Sequence, residues 1–166
     1  MTVRPFLPYR DRRLHMPAEP VAAITETVRM IWDDMIDTME RMPGVGLAAP
    51  QIGIMLRLAV VDASDKRGQA IRMANPEVLH ASVKMRSHEE ASPNLPGVSA
   101  VVERPRAVTV RFLNAGGEVE ERDFVGLWAT SVQHQIDHLD GRMYVDHLSP
   151  LRRKMLVAKS AKLARR

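Results

Sequence analysis

The sequence predicts a mixed α+β domain, laid out as a helix, several antiparallel strands, a central helix and a basic C-terminal helix. Three observations predict it. Apolar residues recur at helical spacing between residues 24 and 42, short β-branched runs separated by turn signals occupy much of 58–124, and two further helical patterns close the chain. With 166 residues, 45% of them apolar and 27% charged, the chain is expected to form a single domain over 1–166 around one core.

Each element has its own signal. Ile24, Val28, Ile31, Met35, Met39 and Met42 recur at intervals of three and four, the mark of a helix with one buried face, and Pro43-Gly44 ends it. The small residues of Gly44-Val45-Gly46-Leu47-Ala48-Ala49-Pro50-Gln51 then permit close backbone approach. Strands are expected over 58–62, 71–74, 107–112 and 119–124, with Ala115-Gly116-Gly117 as the turn between the last two. The polar, proline-bearing stretch 87–103 reads mostly as loop, with a short strand near 98–102. A second helix is expected over 126–139, ended by Gly141. The last runs from about 149 to the end, with Ser149-Pro150 as N-cap and first-turn pair.

Composition narrows the chemistry. The absence of cysteine removes disulfides, thiolate metal sites and cysteine nucleophiles together. Any metal would have to be held by His, Asp, Glu or weaker oxygen donors. No apolar run has the length of a membrane span, and the N-terminal residues lack the apolar stretch of a signal peptide, so cytoplasm is the expected compartment. The basic charge is concentrated at one end. Seven of the 24 Lys and Arg residues and none of the 20 acidic ones fall in 152–166, which leaves −3 for the rest.

His134 and His138 stand four apart on the second helix, so both imidazoles leave one face and can grip one metal ion. Such a pair alone is more often coincidence than a metal site. In the usual H-E-x-x-H arrangement Glu deprotonates a metal-bound water; here the residue is Gln135, which cannot take up that proton. Leu127 and Thr130 lie near the same helix surface.

Three segments carry a stronger signal. The run from Gly44 to Gln51 has the form G-x-G-x-A-A-x-Q, Gln133-His134-Gln135-Ile136-Asp137-His138-Leu139-Asp140-Gly141 has the form Q-H-E-x-D-H-L-x-G with Gln for Glu, and Glu90-Ala91-Ser92-Pro93 lies between them in the place of an E-G-C-L run. In these motifs, their order and their flanks the chain resembles the peptide deformylase family over essentially its whole length. The resemblance implies antiparallel sheets around a central helix carrying the two histidines. It implies removal of the formyl group from the N-terminal formylmethionine of nascent proteins, by water activated on one divalent metal, Fe2+ or Zn2+.

Carried over by position, the resemblance makes His134 and His138 metal ligands and gives Ser92 the place of the cysteine ligand. It makes Gln51 the donor to the developing oxyanion, and puts Gln135 in the place of the acid/base. Val45 and Gly46 form the edge that binds substrate peptide, and Leu127 and Thr130 flank the methionine pocket. Three positions of the reaction centre, Ser92, Gln135 and Pro93, depart from the family. A serine hydroxyl is a far poorer ligand than thiolate, Gln135 removes a general base worth roughly 10²–10⁴ in rate, and Pro93 lacks the N–H that follows the ligand position. Weak or absent deformylation and weak metal binding are therefore expected. Ser99 and Thr130, which replace an Arg and an apolar residue, read equally as drift or as altered substrate contact.

Two alternatives stay open: a non-catalytic protein that binds nascent chains or ribosomes, and a hydrolase with a rebuilt His/His/Glu site drawing on His88, Glu89 or Glu90. The bland reading makes those three solvated loop residues. Asp137, turned off the histidine face, is expected to orient a neighbour. The basic tail of Arg152, Arg153, Lys154, Lys159, Lys162, Arg165 and Arg166 has a stripe of Leu151, Met155, Leu156 and Leu163; it reads as a docked helix, or by resemblance as a ribosome contact. Neither DNA nor membrane is an expected partner.

Overall fold

Thr25 caps the first helix, its hydroxyl accepting the Val28 N–H, and α1 runs Glu26–Arg41. Its buried face presents Val28, Trp32, Met35 and Met39 to a sheet, where they meet Leu47, Leu58 and Val60. The computed structural model describes residues 2–165; Met1 and the last tail residue, Arg166, lie outside the described residues. That sheet holds β1 (Gly46–Ala48), β2 (Leu58–Val61), β3 (Ile71–Ala81), β6 (Ala107–Leu113) and β7 (Val119–Val125) in the order β1-β2-β3-β6-β7, each pair antiparallel. A separate antiparallel hairpin pairs β4 (Met85–Ser92) with β5 (Leu95–Pro105).

The helix bearing the histidines, α2 (Leu127–Leu139), lies between the two sheets. Ala129 and Val132 pack on Val61, Val110, Phe112 and Phe124 of the larger sheet. At its C-terminal end Gly141 takes φ +79°, and a side chain there would strike the backbone of His15 and Met16 at under 3 Å. Glycine is therefore required twice over at this position. Ser149 caps α3 (Pro150–Ala164) through the Arg152 N–H, as its Ser-Pro pair predicts. The α+β class with antiparallel sheets around a central helix is as expected.

Several local expectations need correction. β3 continues from Ala74 to Ala81 instead of stopping at 74. Asn75 adopts φ +52°, the ladder shifts register between Ala74 and Glu77, and the Asn75 side chain holds both the N–H and the carbonyl of Val21. This bulge lets the strand pass the Asn75-Pro76 interruption. Residues 87–103 are not a loop with one short strand: apart from the Pro93-Asn94 turn they belong to the β4–β5 hairpin. Its inward positions on β4 are Arg86, His88, Glu90 and Ser92, while its apolar residues Met85 and Ala91 face outward, so the strand lacks the usual apolar inward period.

The stripe expected on α3 is also displaced. Leu151, Met155 and Leu163 are exposed, while Leu156, Val157 and Ser160 form the docked face, Ser160 donating to the Pro96 carbonyl at 2.7 Å. No helix among the described residues is long and apolar enough to cross a membrane.

Candidate functional site

A cleft of about 440 Å³ opens between β1, the β4–β5 hairpin and α2. Val45, Gly46, Gln51, Ser92, Leu127, Thr130, His134 and Gln135 all line it. His138 lies one helical turn beyond His134, fully buried, with the two ring centroids 5.0 Å apart. The helical spacing thus brings both histidines to one face, and β1 brings the glycine edge opposite them.

Buried charge organises the inner side. Arg104 on β5 grips Glu90 through Nε (2.7 Å) and Nη2 (3.0 Å), and Nη1 reaches Asp137 at 2.9 Å. Glu90 is 5% exposed and its Oε1 lies 2.8 Å from His134 Nδ1. Burial raises the Glu90 pKa, but hydrogen bonds from His134 and Arg104 outweigh it and bring it down to about 2. An ionised carboxylate only accepts, so Nδ1 carries the proton and Nε2 is left to act elsewhere. Burial pushes the Tyr144 phenol, stacked on His134, up to about 12 and keeps it neutral.

These contacts correct the reading of 88–90 as solvated loop residues. Glu90 is buried, and both its oxygens are already engaged by Arg104 and His134, which leaves little for a rebuilt His/His/Glu site. Glu89 turns outward and accepts the Ser99 hydroxyl. Asp137 orients neighbours as expected, though they are Arg104 and His147 (2.7 Å), not the histidines on its own helix.

On the hairpin side, three side chains close on one another. Gln51 Oε1 accepts the Ala48 N–H, while Nε2 donates to Asn94 Oδ1 at 2.8 Å and to Ser92 Oγ at 3.3 Å. Ser92 Oγ donates in turn to Asn94 Oδ1 (3.2 Å) and accepts the Asn94 N–H (3.4 Å). Asn94 Nδ2 ties the cluster to the carbonyls of Leu7 and Gln51. Both protons of the Gln51 amide and the proton of Ser92 thus have acceptors inside the protein. Asn94 was not singled out from the sequence; its only signal there is its place after Pro93 in a turn.

Gln135 is buried, and its Oε1 has no hydrogen-bond partner among the described residues. Its amide lies against Gly46, where a Cβ would collide with Gln135 Nε2 and Ser131 Oγ. Ser131 Oγ donates to the Val45 carbonyl at 2.8 Å, fastening α2 to the glycine edge.

His138 offers a neutral imidazole, since burial and then the neighbouring His134 push its pKa well below 6.5, and neither ring nitrogen has a partner among the described residues. Two imidazoles are suitable donors for a divalent metal. The third position is not: it is a neutral hydroxyl already committed to Gln51 and Asn94. No group of three or more His, Asp or Glu among the described residues is placed to hold a metal ion. The donor set does not fit the thiolate–His–His arrangement.

Comparison with known proteins agrees with this geometry in kind. The family model described as polypeptide deformylase matches residues 3–154. A peptide deformylase of Afipia carboxidovorans is 41% identical, the match covering 99% of this chain and 98% of that protein. A protein of Bradyrhizobium diazoefficiens named peptide deformylase-like is also 41% identical, over 99% and 96%. The crystal structure of a peptide deformylase from Legionella pneumophila superposes with a TM-score of 0.93 at 40% identity, covering 99% of this chain and 96% of that one.

Proposed function

The chain belongs to the peptide deformylase family, and from that premise we propose that it binds the N-terminal residues of a peptide in the family's cleft while hydrolysing a formyl group slowly or not at all. The single observation that carries this reading is the closed network of Gln51, Ser92 and Asn94. It occupies the positions of the oxyanion donor and the third ligand with groups that satisfy each other.

The peptide side of the reading rests on intact parts. Val45 and Gly46 offer a backbone edge beside the cleft, braced by Ser131, and Leu127 and Thr130 line the space for the first side chain. The hydrolytic side is depleted in three roles. Gln135 has no basic site to accept a proton from water, at about 10²–10⁴ in rate. Pro93 offers no N–H to an oxyanion, worth about 10²–10³. Ser92 leaves His134 and His138 as a two-nitrogen site, so any iron or zinc would be held weakly. These losses act on one transition state and do not simply multiply.

Cytoplasm is the compartment that suits capture of nascent N-termini. The outward cations Arg152, Lys154, Lys159 and Lys162 on α3 suit a salt-dependent contact with ribosomal RNA. Cosedimentation that persists unchanged without residues 151–166 would end that part.

The test mixes purified protein with formyl-Met-Ala-Ser, follows binding by calorimetry and recovers the peptide for mass analysis. Saturable binding with the formyl group retained is the expected result. Failure to bind would overturn the peptide reading, and rapid loss of formyl would overturn the reading of Ser92, Pro93 and Gln135.

A further inference from the structure

β4 lends the cleft a polar wall. Its inward residues alternate as Arg86, His88, Glu90 and Ser92, and of these Glu90 and Ser92 are fully engaged as described. The other two are not. Arg86 Nη1 donates to Thr130 Oγ1 at 3.0 Å and makes no ion pair with a carboxylate among the described residues. With that bond on its lone pair, the Thr130 hydroxyl keeps its own proton free, since it donates to no group among the described residues. Thr130 is buried and lines the cleft beside Leu127. His88 lines the same wall, and its Nδ1 is buried with no partner among the described residues.

A wall with a free hydroxyl proton, an unassigned imidazole and a cation behind them has no use for a thioether. A buried donor facing an apolar side chain remains unsatisfied, which disfavours binding. An oxygen that accepts from Thr130 and feels Arg86 through it removes that penalty. Glu90 does not reverse the local charge, because Arg104 and His134 hold it; Glu89 also lines the cleft, and its carboxylate accepts the Ser99 hydroxyl.

We propose that the Arg86–Thr130–His88 wall selects an N-terminal residue whose side chain ends in a hydrogen-bond-accepting oxygen, a carboxylate or carboxamide, over methionine. Thr130 is the specificity-determining residue, and Arg86 is a positioning residue that acts through it. The inference rests on the N-terminal-peptide reading above.

The experiment measures binding of N-formylated X-Ala-Ser peptides to the full chain, with X as Glu, Gln, Met or norleucine. The expected result is Glu or Gln binding about tenfold tighter than Met and norleucine, the scale of one hydrogen bond to a buried donor. Thr130→Val should abolish that ratio. Arg86→Gln should lower Glu binding more than Gln binding if the carboxylate is the preferred form, and both equally if the carboxamide is. Should Thr130→Val fail to fold, Arg86→Gln carries the same readout, and a ratio unmoved by it overturns the inference. Met or norleucine binding as tightly as Glu and Gln overturns it while leaving the peptide reading intact. Failure of all four peptides to bind overturns both.

Discussion

Glu90 Oε1 sits 2.8 Å from His134 Nδ1, and this contact decides which nitrogen of the histidine is free. Because Arg104 and His134 keep Glu90 ionised to about pH 2, Nδ1 stays the donor and Nε2 is the nitrogen available for other chemistry. Ser92 on the hairpin side is a hydroxyl bonded to Gln51 and Asn94, while the carboxylate that orients His134 is buried and fully paired.

That carboxylate gives the stability a defined pH dependence. Its folded pKa of about 2 lies below the ordinary value of 4.5, so its contribution is complete above pH 4.5 and is lost as pH falls toward 2. The shift corresponds to of order 3 kcal/mol. Urea unfolding at pH 7, 4 and 2.5 should show this loss, and Glu90→Gln should flatten the profile over that window. An unchanged profile in Glu90→Gln would refute the assignment.

Arg104→Met strands Glu90 and Asp137 without their shared cation. The expected cost is about 3–5 kcal/mol, the scale of breaking a buried ion pair from one side. Arg104→Met combined with Glu90→Gln should cost less than the sum of the two single changes, measured by chemical denaturation. Additive costs would mean that the pair is not coupled.

Gly46→Ala is expected to destabilise by about 1–3 kcal/mol, as overpacking does, because the new Cβ collides with Gln135 Nε2 and Ser131 Oγ. Removing one of the colliding groups with Gln135→Ala should recover part of the loss. Melting of the single and double variants checks this; no recovery would place the strain elsewhere.

Much of this architecture was legible in the sequence, and the exceptions share a physical cause. α1, α2 and α3 announced themselves through Val28-to-Met39 periodicity, the His134–His138 spacing and the Ser149-Pro150 cap. The hairpin did not, because Arg86, His88, Glu90 and Ser92 take the inward positions that apolar residues usually mark. The inward charge of Glu90 is matched only in space, by Arg104 on β5 and His134 on α2, across separations that no local pattern encodes. The continuation of β3 was hidden in the same way, since Asn75-Pro76 reads as a stop until Asn75 is seen bonded to Val21. In the site, His134, Gln135, Gln51 and Ser92 were placed by motif, but the closing role of Asn94 needed the turn geometry.

Metal content follows from the donor set. Elemental analysis after incubation with Zn2+ should find well under one ion per chain in the natural protein, and close to one in Ser92→Cys, where a thiolate can join the two imidazoles. Full occupancy in the natural protein would show that Ser92 or another donor suffices.

Formate release from formyl-Met-Ala-Ser separates a silent centre from a working one when the natural chain is compared with the triple variant Ser92→Cys, Pro93→Leu, Gln135→Glu, each supplied with Fe2+ or Zn2+. The natural chain should release formate at least about 10³-fold more slowly than the variant, given what a base and an oxyanion donor contribute. Release by the natural chain at about 1–10³ per second, the range of ordinary enzymes, would contradict the account.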